Sequence, residues 1–213
     1  LGLGGLVGAG RTELVQMIFG DVKKTEGKII FNGKEINPKT PREAIDQGIA
    51  LVPEDRKRHG ALLEISIKDN INMPIYKRIS TASVINSKVE WETAEKYQKS
   101  LLIKTPTLHQ PVKNLSGGNQ QKVIIGKWLA ANSELIIFDE PTRGIDVGAK
   151  FEIYKLMNEL LEQGKTILLI SSEMEELMGM SDRIIVLAEG HITGELTKSE
   201  FNQNTIMKMA SAV

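Results

Sequence analysis

The chain has 213 residues, of which 41% are hydrophobic and 25% are charged, with 27 basic and 27 acidic side chains. This length suits one domain with a hydrophobic core, and zero net charge gives no general electrostatic reason to bind nucleic acid or anionic lipid. The absence of cysteine excludes disulfides, thiolate metal ligands and cysteine nucleophiles, and no apolar run approaches the ~20 residues that span a bilayer.

The first motif begins at the fifth residue. Gly5–Thr12 reads Gly-Leu-Val-Gly-Ala-Gly-Arg-Thr and fits the phosphate-loop pattern G-x-x-x-x-G-[K/R]-[S/T]. Glycines let successive backbone N–H groups converge on phosphate oxygens, and the helical pattern Glu13–Phe19 adds a helix N-terminus at the same anion. The predicted nucleotide-binding residues are Gly5, Gly8, Ala9, Gly10, Arg11, Thr12 and Glu13, with the Thr12 hydroxyl assigned to Mg²⁺. The alternative interpretation is a glycine-rich turn between a strand and a helix.

Two features of this motif depart from the usual pattern. Arg11 stands where lysine is usual, and a planar guanidinium enters a β/γ-phosphate cradle less readily than a compact ammonium group. Only four residues precede Gly5, so we expect the strand that should lead into the loop to be nearly absent. We therefore interpret the chain as a fragment of a longer protein.

The segment that follows predicts short elements and then a helical region. Lys28–Phe31 reads as a strand that ends in an Asn32–Gly33 hairpin turn. Pro41–Gln47 predicts a short helix, and Ile49–Val52 predicts a compact apolar strand. Residues 66–131 contain no comparable strand and are predicted to form a helical lobe. An amphipathic helix within it is indicated by the spacing of Trp91, Ala94, Tyr97, Leu101 and Leu102.

Continuous apolar runs dominate the rest of the chain. Leu135–Phe138, Thr166–Ile170 and Ile184–Leu187 predict parallel strands that are buried on both faces. The first run ends in Asp139 and Glu140. We expect Asp139 to hold Mg²⁺ beside the phosphate loop and Glu140 to orient or deprotonate a water as a catalytic residue. The alternative is a strand that runs into a solvated acidic turn.

A glycine-containing stretch carries the most specific signal. Leu115–Lys122 reads Leu-Ser-Gly-Gly-Asn-Gln-Gln-Lys and resembles the LSGGQ signature of ABC ATPases, with Asn119 in place of the usual glutamine. Ser116 can cap the following helix, and two glycines leave backbone N–H groups open to an anion. A helix cap without further role is the alternative. The predicted signature residues are Leu115, Ser116, Gly117, Gly118, Asn119 and Gln120.

The resemblance extends over essentially the whole chain. Asp146 matches the family's D-loop, Glu54 stands where its Q-loop has glutamine, and Ser172 stands where it has a switch histidine. The resemblance therefore assigns coupling loops to Glu54 and Asp146 and a catalytic role to Ser172. Ser172 and Glu175 also fit an S-x-x-E capping box, which offers a helix-starting alternative. Four segments look like the second ATPase half of ribose/galactose-type monosaccharide importers: Gly5–Leu14, Pro53–Arg58, Leu115–Lys122 and Asp139–Lys150.

This resemblance implies an α/β phosphate-loop NTPase of the ABC type, with a parallel-strand core, a short antiparallel portion truncated at its N-terminus, and an inserted helical lobe. We expect a single domain over residues 1–213, with a RecA-like core at 1–65 and 132–213 and the lobe at 66–131. The implied ligands are ATP and Mg²⁺. The implied partners are a second ATPase domain upstream in the full-length chain, transmembrane permease subunits and, indirectly, a periplasmic or extracellular sugar-binding protein, but no nucleic acid.

In such ATPases two domains pair head to tail, and each nucleotide lies between one phosphate loop and the other domain's signature. The resemblance thus implies sugar import powered from the cytoplasmic face of the cell membrane, with this half supplying a signature while its own site is degenerate. Two alternatives remain open. Arg11 and Ser172 favour an inactive regulatory module, which Asp139 and Glu140 oppose. A soluble ABC ATPase acting on DNA or ribosomes is disfavoured by zero net charge and by the lack of a coiled-coil insertion.

Overall fold

A computed structural model describes residues 1–212, which form two compact units. The first unit contains residues 1–51, 135–140 and 166–212, and the second contains residues 52–134 and 141–165. The strands are β1 (Gly2–Gly5), β2 (Ile29–Phe31), β3 (Lys34–Ile36), β4 (Ile49–Val52), β5 (Ser80–Thr81), β6 (Val84–Ile85), β7 (Leu135–Asp139), β8 (Thr166–Ile170), β9 (Arg183–Ala188) and β10 (His191–Thr197). The α-helices are α1 (Arg11–Phe19), α2 (Pro41–Asp46), α3 (Ile67–Asn72), α4 (Ser87–Ser100), α5 (Gly117–Ala130), α6 (Val147–Glu162), α7 (Met174–Met180) and α8 (Gln203–Ala210).

The first unit is built on a six-stranded sheet with the order β10-β9-β1-β8-β7-β4. Strand β1 pairs in parallel with both β8 and β9, and β7 pairs in parallel with β8. The predicted parallel core of apolar strands is therefore confirmed. Strand β10, which the sequence analysis did not predict, adds an antiparallel edge to β9. In parallel sheets ligands bind outside the carboxyl ends of the strands, where β1 and β7 end.

The expectation that the strand before the phosphate loop is nearly absent was wrong, because Gly2–Gly5 forms a strand between two neighbours. Close packing explains why this strand contains glycines. A Cβ on Gly2 would lie 2.4 Å from Ser181 Oγ, and a Cβ on Gly4 would lie 3.2 Å from Leu177 Cδ2. Only residues without side chains let α7 and the residue after it approach this strand so closely.

Helices α7 and α8 share a core with the parallel strands. This hydrophobic cluster contains Leu177, Ile184, Val186, Leu196, Ile206 and Ala210. Strands β2 and β3 form the predicted hairpin, with Asn32 and Gly33 at φ +50° and +74°, as a two-residue turn requires. Helix α2 also forms as predicted, with Pro41 in its first turn and the Thr40 side chain as its N-cap.

The second unit consists mainly of helices α3 to α6. Helix α4 buries Ala94 completely, as the amphipathic spacing predicted, but the inclusion of Leu102 in that spacing was wrong, because the helix ends at Ser100 and Leu102 is 70% exposed. Helix α5 is buried along most of its length. The two-residue strands β5 and β6 form a small hairpin that the sequence analysis did not predict. None of the helices formed by residues 1–212 is long and apolar enough to cross a membrane.

Candidate nucleotide-binding and signature sites

The glycine-rich loop connects β1 directly to α1. Gly5 has φ +149°, and a Cβ there would lie 2.5 Å from the Leu187 carbonyl oxygen, so the strand end accepts only glycine. Gly10, at φ +92°, is the N-cap of α1 and provides no side-chain cap for the helix. The crest of the loop is open, with Val7 93% exposed. Uncapped N–H groups at a helix start, next to an exposed glycine loop, form a ready site for an anion.

Arg11 does not extend from this loop into solvent but is buried. Its Nη1 atom donates to the Ser171 carbonyl oxygen at 3.1 Å. Its Nη2 atom lies 3.8 Å from Glu140 Oε1, and both side chains are less than one-tenth exposed. The guanidinium is therefore paired with the carboxylate that the sequence analysis assigned to catalysis.

Glu140 has a second partner and a strained backbone. The Ser172 hydroxyl donates to Glu140 Oε2 at 3.0 Å, which explains how a serine at the switch position contacts this carboxylate. The Glu140 backbone has φ +48°, while its N–H donates to the Ile170 carbonyl oxygen at 3.0 Å. A left-handed glutamate costs about 1–3 kcal/mol and is typical of functional sites. The capping alternative for Ser172 was wrong, because α7 begins at Met174 with Glu173 as its N-cap.

Asp139 and Thr12 meet at the ends of β7 and the loop. The Thr12 hydroxyl donates a hydrogen bond to the Asp139 carboxyl group. Burial raises the pKa of Asp139 to about 6, with the Thr12 hydrogen bond opposing and the Glu140 charge adding to the shift. Among residues 1–212, Asp139 Oδ1 is buried without a hydrogen-bond partner. An orphaned carboxylate oxygen beside a hydroxyl is a donor pair that Mg²⁺ accepts, with phosphate and water oxygens completing the shell, so these residues fit the ion.

The signature segment lies in the second unit, at the start of α5. Ser116 is the N-cap, is exposed, and its Oγ accepts hydrogen bonds from the Asn119 backbone N–H at 3.5 Å and from Asn119 Nδ2 at 2.9 Å. Asn119 Oδ1 in turn accepts the Lys104 N–H at 2.8 Å. Asparagine at this position thus ties the Ser116 hydroxyl to the segment before α5, and the exposed helix start remains open to an anion.

The remaining signature residues anchor this helix start. Leu115 is buried, and Gln120 Nε2 donates to its carbonyl oxygen at 3.1 Å. A Cβ on Gly118 would lie 2.7 Å from Ala149 Cβ, so glycine is needed where α6 passes. Gly117, by contrast, has only contacts of 3.4 Å or more at its imagined Cβ. The first glycine therefore leaves room at the helix start, whereas the second permits close helix packing.

The two predicted coupling loops also lie in the second unit. Glu54 forms an ion pair with Arg143, and Asp146 caps α6 by accepting the Ala149 N–H at 2.9 Å. The sequence patterns did not assign a role to Arg143 or Arg56 individually. Asp55 caps a π-helical turn, Arg56–Gly60, after Glu54.

The chain matches a known protein family over most of its length. The model of the ABC transporter family matches residues 1–143. The chain belongs to the ABC transporter family. The glycine-rich loop and the strand that ends in Asp139 and Glu140 lie within the matched residues, as does the signature segment.

Relatives within this ABC transporter family include sugar import proteins. The chain is 54% identical over 212 residues to a xylose import ATP-binding protein of Thermoanaerobacter pseudethanolicus, covering 99% of this chain and 42% of that protein. It is 50% identical over 213 residues to a ribose import ATP-binding protein of Clostridium tetani, covering 100% of this chain and 42% of that protein. The chain therefore spans less than half the length of these relatives.

Solved ATP-binding cassettes share the ABC fold of this chain. A nucleotide-free cassette from an ABC transporter matches with a TM-score of 0.80 at 24% identity, covering 100% of this chain and 87% of that one. A dimeric cassette in a post-hydrolysis state bound to ADP and Pi matches with a TM-score of 0.78 at 22% identity, covering 94% and 85%. The predicted ABC-type α/β fold is confirmed.

Proposed function

We propose that this chain is one of two ATP-binding halves of an ATPase that powers the import of a monosaccharide. The sugar class is supported by the xylose and ribose import relatives at 54% and 50% identity. Because the chain covers 42% of each relative, a full-length protein of similar length has room for a second ATPase domain. The proposed partners are that domain, permease subunits in the membrane, and indirectly a sugar-binding protein outside it. The ATPase would act from the cytoplasmic face of the membrane.

This chain is proposed to contribute to two nucleotide sites and to play a different role at each. The start of α5 carries an exposed serine hydroxyl and open backbone N–H groups, which suit the phosphates of a nucleotide held by the partner domain. The chain's own cradle consists of Gly5–Thr12 with Thr12 and Asp139 for Mg²⁺. When bound, Mg²⁺ would neutralise phosphate charge there.

The observation that carries this asymmetry is the contact of Arg11 and Ser172 with Glu140. Both side chains contact oxygens of the Glu140 carboxylate, so an attacking water must compete with them for this base. A serine is also shorter than the histidine of the family's switch and is never cationic, so it cannot stabilise developing charge in the same way. This half is therefore proposed to bind nucleotide and to hydrolyse it slowly, while fast hydrolysis takes place at the partner's phosphate loop.

The test compares two substitutions in the full-length protein. Ser116→Arg fills the exposed start of α5 with a bulky side chain and is expected to abolish most ATP turnover. Glu140→Gln removes the carboxylate from this half's own site and is expected to leave most turnover in place. Asn114→Arg, an exposed position two residues before Ser116, controls for the added charge.

The outcomes are distinct. If Glu140→Gln lowers ATP turnover more than Ser116→Arg, the two sites are assigned backwards. If neither substitution changes turnover, this half is a regulatory module and contributes to no hydrolytic site. Uptake of labelled xylose and ribose by cells that carry each variant then tests the sugar class, since loss of turnover by Ser116→Arg must also stop import.

A further inference from the structure

Arg56 opens the π-helical turn after Glu54 and has an unusual environment for an arginine. Burial lowers its pKa, and the charge of Asp55 acts in the opposite direction. Its Nη2 atom donates to the Gly144 carbonyl oxygen at 3.4 Å, a long contact. Its Nη1 atom is buried and has no hydrogen-bond partner within the described part of the chain. The guanidinium is thus partly desolvated and incompletely hydrogen-bonded, which is unfavourable for a charged group.

The guanidinium lies beside the signature helix start. A Cβ built on Gly117, the first residue of α5, would lie 3.6 Å from Arg56 Nη2, and a Cβ on Gly144 would lie at the same distance. The N-terminus of a helix carries a partial positive charge, so a cation next to it is repelled. An anion bound between the guanidinium and the helix start would offset this repulsion.

Arg58, in the same turn, lacks these features. Its side chain is 82% exposed and lies 3.6 Å from Asp55 Oδ2. It is therefore solvated and needs no further anion, and this exposure is what distinguishes it, because the charge of Asp55 also acts on Arg56. Partial burial is therefore specific to Arg56 and is not shared by every charged residue of this turn.

We propose that Arg56 binds the terminal phosphate of the nucleotide that the partner domain presents to Ser116–Gly118, and that it stabilises the charge developing on this phosphate during hydrolysis. The inference rests on the proposed function, because it needs the start of α5 to face a partner's nucleotide. A guanidinium offers several N–H donors in a planar arrangement that matches phosphate oxygens. Such a donor acts most strongly on charge that develops in the transition state.

The experiment measures steady-state ATP turnover by the full-length protein with Arg56→Ala, Arg56→Lys, Arg58→Ala and Ser116→Arg. Loss of one transition-state donor lowers kcat by about 100-fold or more, so this is the result expected for Arg56→Ala. Arg56→Lys keeps the charge without the planar donors and should be intermediate. Arg58→Ala is the matched control and should stay within about twofold of the wild type.

Rescue with free guanidinium distinguishes phosphate binding from a purely structural role. Millimolar guanidinium is expected to restore part of the turnover of Arg56→Ala, because the small cation can occupy the vacated position, and to leave Ser116→Arg inactive. The temperature of unfolding is measured for each variant. Loss of turnover without rescue, accompanied by a lower unfolding temperature, would make Arg56 a structural support for the loop at Gly144 and overturn the proposal.

Failure of this inference is separable from failure of the proposed function. If Arg56→Ala keeps wild-type turnover while Ser116→Arg is inactive, Arg56 is not a phosphate ligand but the start of α5 still serves the partner's site. If Ser116→Arg also keeps wild-type turnover, the proposed function itself is wrong.

Discussion

Lys127 is a buried cation on α5 whose charge should govern how stability changes with pH. Its Nζ atom donates to the Gly60 carbonyl oxygen at 2.5 Å and lies 4.4 Å from the centre of the Trp128 ring. The residue is 8% exposed, and burial lowers the pKa of its ammonium group from 10.5 to about 8. We predict that the free energy of unfolding of the wild type rises between pH 8 and 10.5 and that Lys127→Met abolishes this rise.

The magnitude follows from the two pKa values. They differ by about 2.5, and each unit corresponds to about 1.4 kcal/mol, so the buried charge costs about 3 kcal/mol. Below pH 8 the lysine is protonated in the folded and unfolded states, and this cost is present in full. Between pH 8 and 10.5 the folded state releases a proton that the unfolded state keeps, so a rise in pH stabilises the fold.

Urea unfolding of the wild type and of Lys127→Met, at pH 7.5, 9 and 10.5, measures this effect. The difference in free energy of unfolding between the wild type and the variant should shift by about 3 kcal/mol in favour of the wild type across this range. The contributions of all other titrating groups cancel in this difference. Lys155→Met is the control, because the Lys155 side chain is 79% exposed. For this variant the difference in unfolding free energy from the wild type should not change with pH. A flat difference for Lys127→Met would refute the assigned burial of the charge.

Two further substitutions test close packing and the buried ion pair. Gly118→Ala should cost about 1–3 kcal/mol of unfolding free energy, because its methyl group would meet Ala149 Cβ at 2.7 Å. Adding Ala149→Gly should recover part of this loss, and additive losses in thermal unfolding would contradict the contact. Arg11→Met should cost about 3 kcal/mol or more at neutral pH, since it leaves the Glu140 charge buried without its cation. Glu140→Gln in the same chain should restore much of it, and urea unfolding of the double mutant would show no such recovery if the pair were unimportant.

The apolar strands and the turn chemistry of this fold were predictable from the sequence. Runs such as Leu135–Phe138 are long enough, and apolar enough, to specify buried parallel strands. Asn32 and Gly33 specify a hairpin because few residues adopt positive φ. Strand β1 was less predictable, since a strand rich in glycine has weak intrinsic preference and forms here because its neighbours fit against it.

The residue types of the candidate site could be predicted, but not their contacts. The motif at Gly5–Thr12 indicated a phosphate site, yet nothing in it indicated that Arg11 turns toward Glu140. Such pairing joins residues far apart in sequence and depends on burial. The same reason applies to Arg56, whose contact with the Gly144 carbonyl oxygen joins residues 88 positions apart in the sequence.

The left-handed backbone at Glu140 has a consequence for protein engineering. Glycine or asparagine adopts φ near +48° with less strain than glutamate, but either residue would leave the buried Arg11 guanidinium without its carboxylate. Relief of backbone strain at position 140 therefore does not by itself stabilise the fold, and the substitution would also remove the carboxylate of the candidate site. Libraries designed to stabilise this domain should therefore keep position 140 constant and seek stabilising changes elsewhere.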